Sequence, residues 1–160
     1  MERAVVEVDV KGVLPTSAGC AVFLGNEEKV FVIYIDQMVG AAITMFLRSV
    51  PKERPQTHDL VASIMEALGA KVDRVVVSDF KEGVYFGRLI LSAENELHQK
   101  MIVEIDARPS DCIALAVQQK APILISQHVW DEAEDMSEVL SRVAEDDTPD
   151  EGDDEDELKL

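Results

Sequence analysis

The sequence predicts an α+β fold, a single mixed domain with about seven short strands and three main helices. Strand-period segments outnumber helix-period ones along the chain. Its 47% hydrophobic content is spread through short mixed segments, which excludes collagen, a wholly disordered chain and a coiled coil. The excess negative charge gathers at the carboxyl end, so the rest reads as one compact unit.

Arg3 to Lys11 alternates charged residues with Val6, Val8 and Val10, the pattern of a half-buried strand, and Gly12 and Pro15 are expected to break it. Gly19 to Leu24 reads as a second strand ending at a Gly25-Asn26 turn. Lys29 to Ile35 is a β-branched and aromatic run, expected as a third and central strand. From Gln37 to Arg48 the period lengthens: Met38, Ala41, Ala42, Met45 and Phe46 predict an amphipathic helix with Asp36 as N-cap and that stripe as core. Ser49 to Gln56 holds two prolines and reads as a loop. Leu60, Val61, Ile64, Met65 and Leu68 stripe a second helix, with Thr57 placed to cap it and Gly69 to end it. Val72 to Asp79, Val84 to Ser92 and Met101 to Asp106 read as three strands, the first two a hairpin through Lys81-Glu82-Gly83. Ile113 to Val117 is apolar on nearly every face, so a helix from about Pro109 to Gln119 should be buried. Ile123 to Ile125 makes a last short strand, and Met136 to Val143 a short helix.

The net charge of -17 divides unevenly: residues 131–160 carry 15 acids and two bases, residues 1–130 carry 17 and 13. The expected organisation is a domain over residues 1–130, a short helical extension over 131–144 and an acidic, disordered tail over 145–160. The tail either solvates the chain or mimics nucleic acid and occupies its groove. No run approaches the roughly 18 apolar residues that span a bilayer, and acids interrupt the amino terminus where a signal peptide needs an apolar stretch. Cys20 and Cys112, without a Cys-x-x-Cys pair, fit small buried residues in a reducing cytosol, a disulfide being the alternative. A soluble cytoplasmic protein with no membrane partner is expected.

One local pattern occurs twice. Arg54-Pro55-Gln56-Thr57-His58-Asp59 leads into the second helix, and Asp106-Ala107-Arg108-Pro109-Ser110-Asp111 into the third. Both are well-formed helix starts, because proline needs no partner for its nitrogen there and the short polar side chains accept free N–H groups. The same residues suit phosphate. A helix amino terminus favours anions, and a guanidinium adds a bidentate clamp. Arg54 and Arg108, with Ser110, are therefore candidate phosphate ligands. Asp59, Asp106 and Asp111 are candidates to hold a divalent cation, Mg²⁺ or Mn²⁺, which hydrolysis of a phosphodiester can use to lower the pKa of water. His58 is a candidate general base or metal ligand. His98 and His128 read as exposed or structural, and none of the three histidines has zinc-ligand spacing. No phosphate-cradling glycine loop occurs.

Three stretches, Arg54-Pro-Gln-Thr-His-Asp-Leu, Phe80-Lys-Glu-Gly-Val-Tyr-Phe-Gly and Ile105-Asp-Ala-Arg-Pro-Ser-Asp-Cys-Ile-Ala-Leu-Ala, closely resemble the bifunctional nuclease domain family in content, order and separation. The resemblance covers about residues 3–130. It implies an α+β domain forming a wedge-shaped homodimer with an active-site groove, and DNase and RNase activity. The family positions fall on Arg54, Thr57, His58 and Asp59, then on Asp106, Arg108, Pro109, Ser110 and Asp111. Some relatives append a paired-helix motif where this chain has its acidic tail, and Cys112 replaces a small residue after the Ser-Asp pair.

Two functions are thereby expected to compete. The first is metal-assisted hydrolysis of DNA and RNA without strong sequence preference, with His58, Asp106 and Asp111 as catalytic residues. The second is a non-catalytic dimeric adaptor or anionic-ligand-binding domain using the same helix starts. The acidic balance favours the second, because residues 1–130 exert little long-range attraction on a polyanion. No heptad or exposed apolar stripe in the sequence announces the dimer.

Overall fold

The structure, a computed structural model, describes residues 4–146. The chain runs β1 (Val5–Thr16), β2 (Gly19–Gly25), β3 (Val30–Ile35), α1 (Gln37–Leu47), α2 (Thr57–Ala67), β4 (Ala70–Lys81), β5 (Val84–Glu94), β6 (Lys100–Ala107), α3 (Pro109–Gln119), β7 (Ile123–Ser126), α4 (Gln127–Glu132) and α5 (Ser137–Asp146). Seven strands form one mixed sheet in the order β3-β2-β1-β7-β4-β5-β6, and β4 with β7 is its parallel pair. The α+β class is as the sequence predicts. Of the tail expected over 145–160, residues 147–160 lie outside the described residues, as do residues 1–3.

β1 does not stop at Gly12 or Pro15. It pairs with β7 through Val5 to Val8 and with β2 from Asp9 to Thr16, and the β1–β2 register shifts between Val10 and Gly12. At Pro15 the strand has a partner on one side, where a missing N–H is tolerated. The β4–β5 hairpin turns through Glu82 (φ 52°) and Gly83 (φ 80°), two left-handed residues in succession, as a tight two-residue hairpin requires.

β2 is buried along nearly its whole length because alternate residues face different layers. Val22 and Leu24 join the main core with Val39 and Ile43 of α1, whereas Ala21 and Phe23 pack with Met136 and with Leu140 of α5. α3 is the buried helix, with Cys112 to Ala116 all enclosed. Its close approach to β5 depends on Gly87: a Cβ there would lie 2.7 Å from the Ala107 carbonyl oxygen, 3.0 Å from Cys112 Sγ and 3.1 Å from the Pro109 nitrogen.

Three helix expectations need correcting. α1 buries Val39, Gly40, Ala42 and Ile43, and Met38, expected in the core, is 85% exposed. This helix is apolar almost all round, so periodicity alone could not choose its inner face. On α2 the wide stripe splits. Met65 is buried and Val61 half-buried, while Leu60, Ile64 and Leu68 form an exposed row at four-residue spacing. The third correction is α4, an unexpected six-residue helix too short to show a period. Its Trp130 packs edge-on to Phe31, with ring centroids 6.1 Å apart.

Lys29 holds this corner. Its Nζ donates to the Trp130 carbonyl and, at 2.9 Å, to that of Ala133, and it lies 5.0 Å from the Trp130 ring centroid. Lys29→Met keeps the stem and removes the ammonium. It is expected to cost about 1–2 kcal/mol, from lost charged hydrogen bonds and a cation–π contact. A urea midpoint equal to wild type would show that the corner holds without it.

Candidate functional site

The amino termini of α1, α2 and α3 meet at one groove of about 870 Å³. Each is placed by the element before it. β3 ends at Ile35, and Asp36 caps α1 by accepting from Val39 N at 3.0 Å. β6 ends at Ala107, and Arg108 is the extended N-cap of α3, with Pro109 as its first helical residue. α2 is capped at Gln56, and Thr57, expected as its cap, is its first helical residue. The Asp59 carboxylate accepts from the Gln56 backbone N–H at 2.9 Å, so the cap is made from the third helical position.

Across these ends runs a chain of ionic contacts. His58 Nε2 lies 3.0 Å from Asp111 Oδ1, and Arg108 Nε donates to Asp111 Oδ2 at 2.9 Å. Arg108 also donates to Asp36 Oδ2 at 3.4 Å. Burial works to raise the Asp111 pKa, but the hydrogen bonds from Arg108 and His58 outweigh it, so the carboxyl titrates below its usual range. The same bond raises the Arg108 pKa further. Arg108 is 64% exposed on its side chain and uses two of its five donor hydrogens on these carboxylates, which leaves donors for an incoming anion.

His58 donates from Nε2 to Asp111, a contact that fixes Nδ1 as the ring's proton acceptor. Its backbone is tied down as well, because Gln118 Nε2 of α3 donates to the His58 carbonyl at 3.3 Å. A base held by a carboxylate beside an unsaturated guanidinium can take a proton from water at an anion.

The other expected site residues are placed elsewhere. Asp59 faces away from His58 into a neighbouring cleft, where it accepts from Lys52 at 2.8 Å and from Gln118 at 3.4 Å. Burial pushes its pKa up, but these bonds win and hold it low. Arg54 lines that second cleft, not the groove. Asp106 is an exposed residue of β6 in register with Arg88 of β5, and Ser110 is buried; neither lines the groove. Among the described residues no three His, Cys, Asp or Glu side chains are grouped to hold a metal ion, so Asp59, Asp106 and Asp111 do not form the expected cation cage. Sequence reasoning misses Asp36 and Gln118 as site residues. Asp36 reads only as a cap in sequence, although it follows a strand and opens a helix as Arg108 does.

Cys20 and Cys112 are free and buried. Burial, with Asp111 adding to it, pushes the Cys112 thiol up to about 12, so it stays protonated at neutral pH and takes no part as a nucleophile.

Residues 22–138 match the family model of the bifunctional nuclease domain. The chain belongs to the bifunctional nuclease domain family. It is 32% identical over 108 residues to an uncharacterized protein of Mycobacterium tuberculosis, across 68% of this chain and 61% of that protein. To bifunctional nuclease 1 of Arabidopsis thaliana it is 28% identical over 97 residues, 61% of this chain and 29% of the relative. To bifunctional nuclease 1 of Oryza sativa subsp. japonica it is 26% identical over 83 residues, 52% and 24% of the two chains. The chain thus spans less than two thirds of each of these relatives. In this bifunctional nuclease domain the groove holds His58, Arg108 and Asp111 together, from two of the three stretches that carry the resemblance. Among the described residues no helix is long and apolar enough to cross a membrane.

Proposed function

We propose that the groove binds a phosphodiester of DNA or RNA and hydrolyses it without strong sequence preference. The observation that carries this is the His58–Asp111–Arg108 constellation at three converging helix amino termini. Arg108 and the positive ends of the helices neutralise the non-bridging oxygens. His58 Nδ1 accepts the proton of a water whose oxygen bonds to phosphorus, the bond from phosphorus to the leaving sugar oxygen breaks, and that oxygen takes a proton from solvent. Asp111 stabilises the imidazolium that forms. Mg²⁺ or Mn²⁺, when bound, would lower the pKa of water and offset phosphate charge. The carboxylates expected to hold a cation do not converge, so every step here uses the chain's own residues. Cleavage of labelled DNA and RNA, with and without Mg²⁺, Mn²⁺ and EDTA, tests the reading against a His58→Ala control prepared identically.

A non-catalytic adaptor binding an anionic ligand at the same helix starts is favoured by one observation, the acidic balance of residues 1–130, 17 acids against 13 bases, which gives little long-range attraction for a polyanion. No cleavage by a folded wild type would establish it over the nuclease.

The protein is further proposed to act as a homodimer through an exposed row made by Leu60 and Ile64 of α2 and its C-cap residue Leu68. Such a row on a helix otherwise packed against β4 and α3 is the kind of apolar surface that a second copy covers. Light scattering is expected to give twice 17.7 kDa for wild type and 17.7 kDa for Ile64→Glu. Equal masses for the two would remove this face from the dimer.

A further inference from the structure

The groove does not end at His58. Met45 of α1 lines both the groove and a second cleft of about 500 Å³, which opens beyond the start of α2. Lys52, Arg54 and Lys120 wall that cleft against one carboxylate, Asp59. In the groove itself two carboxylates, Asp36 and Asp111, face the single guanidinium of Arg108. Lys52 is already engaged by Asp59 and sits 4.0 Å from the Phe46 ring centroid. Arg54 and Lys120 are exposed, and neither side chain has an ion-pair or hydrogen-bond partner among the described residues. In a chain of net charge -17, two unengaged cations on one cleft are placed to meet an anion.

We propose that groove and cleft form one continuous track for a single strand of nucleic acid, with Arg54 and Lys120 as a second phosphate subsite beside the one at Arg108. The proposal rests on the nuclease reading of the groove. Between the two cationic ends lies the outward side of α1, where Met38, Ala41 and Met45 line the groove. Seven residue steps along the helix lead from Met38 to Met45, a rise of about 10 Å. A strand lying there meets cations at its phosphates and an apolar floor at its bases. Unpaired bases can use such a floor, whereas a duplex keeps its base faces stacked inside.

The test is fluorescence anisotropy of the full chain, in EDTA, with a labelled oligo(dT) and with a duplex of the same length, over a series of salt concentrations. An Arg54→Gln, Lys120→Gln double variant is expected to bind oligo(dT) about tenfold more weakly. Its plot of log affinity against log salt should flatten by about 1.4, since each phosphate contact on a single strand contributes roughly 0.7. A charge-matched Lys71→Gln, Lys100→Gln variant, altered in a different cleft, should keep the wild-type slope. Both double variants change exposed residues, and unchanged thermal midpoints establish that they fold. An unchanged slope in the first variant overturns the second subsite, and so does equal flattening in both. Duplex bound as tightly as oligo(dT) overturns the single-strand assignment. Each of these can occur while wild type still cleaves DNA or RNA, so the track fails separately from the nuclease. Failure of cleavage alone, with the slope changed as expected, removes the nuclease reading and leaves a binding track.

Discussion

On the proposed nuclease reading, His58→Ala is expected to lower the rate of phosphodiester cleavage by 10²- to 10⁴-fold, the range that a positioned general base contributes, and to leave the fold intact. The ring's polar partner is Asp111, and its neighbours in the groove are helix ends held by other residues. Asp36 still caps α1, Asp59 still caps α2 and Arg108 still bonds Asp111. The measurement is kcat and KM on a labelled single strand, with near-ultraviolet circular dichroism to verify packing. A fall in kcat at nearly constant KM is the expected signature, since Arg108 keeps its hold on the phosphate. Cleavage equal to wild type would mean that the observed activity comes from elsewhere, either another part of the chain or a contaminating nuclease.

Much of the fold is readable because it is set locally. The β4–β5 hairpin follows from two strand-forming runs around Glu82-Gly83, and α3 follows from Pro109 at its start and an apolar run with no polar face. β1 is different. Its continuation past Gly12 depends on pairing with β2, where Gly12 meets Phe23 and Pro15 meets Cys20, so a cross-strand partner overrides two local breakers. The same limit applies to α1 and α2. Each has more apolar surface than one packing face needs, and only the positions of β2, β4 and α3 decide which side is enclosed.

The site is legible by residue type and not by grouping. The repeated Arg-Pro helix starts single out Arg54, His58, Asp59, Arg108 and Asp111, and all five line one of two adjoining clefts. Sequence cannot tell that consecutive residues His58 and Asp59 point to different clefts, since that depends on where the α2 start meets α3. Nor can it add Asp36, which lies 72 positions from the guanidinium it bonds. Asp106 shows the converse error. It is five positions from Asp111, yet it sits on a sheet strand whose register places it beside Arg88.

Asp111→Asn separates charge from shape at the centre of this network. The asparagine side chain can still accept from His58, but it lacks the negative charge that stabilises the imidazolium, so cleavage should fall on the order of 10²-fold. Stability changes too, in a direction the pH dependence reveals. The folded Asp111 titrates below the usual carboxylate range, because the bonds from Arg108 and His58 outweigh the opposing effect of burial. A depressed folded pKa stabilises the protein fully above the unfolded value and loses that contribution as pH falls through the folded one. Wild type should therefore exceed Asp111→Asn by about 1–2 kcal/mol at about pH 5–7, the low end for charged hydrogen bonds because the side chain is 31% exposed. The difference should shrink below about pH 4 and vanish once the wild-type carboxyl is protonated. Urea unfolding at several pH values reads both limits. A gap that persists unchanged to about pH 2.5, well below the ordinary aspartate pKa, would show that the substituted amide is penalised by packing rather than by lost charge. It would also detach Asp111 from the role of holding His58 and Arg108 in place.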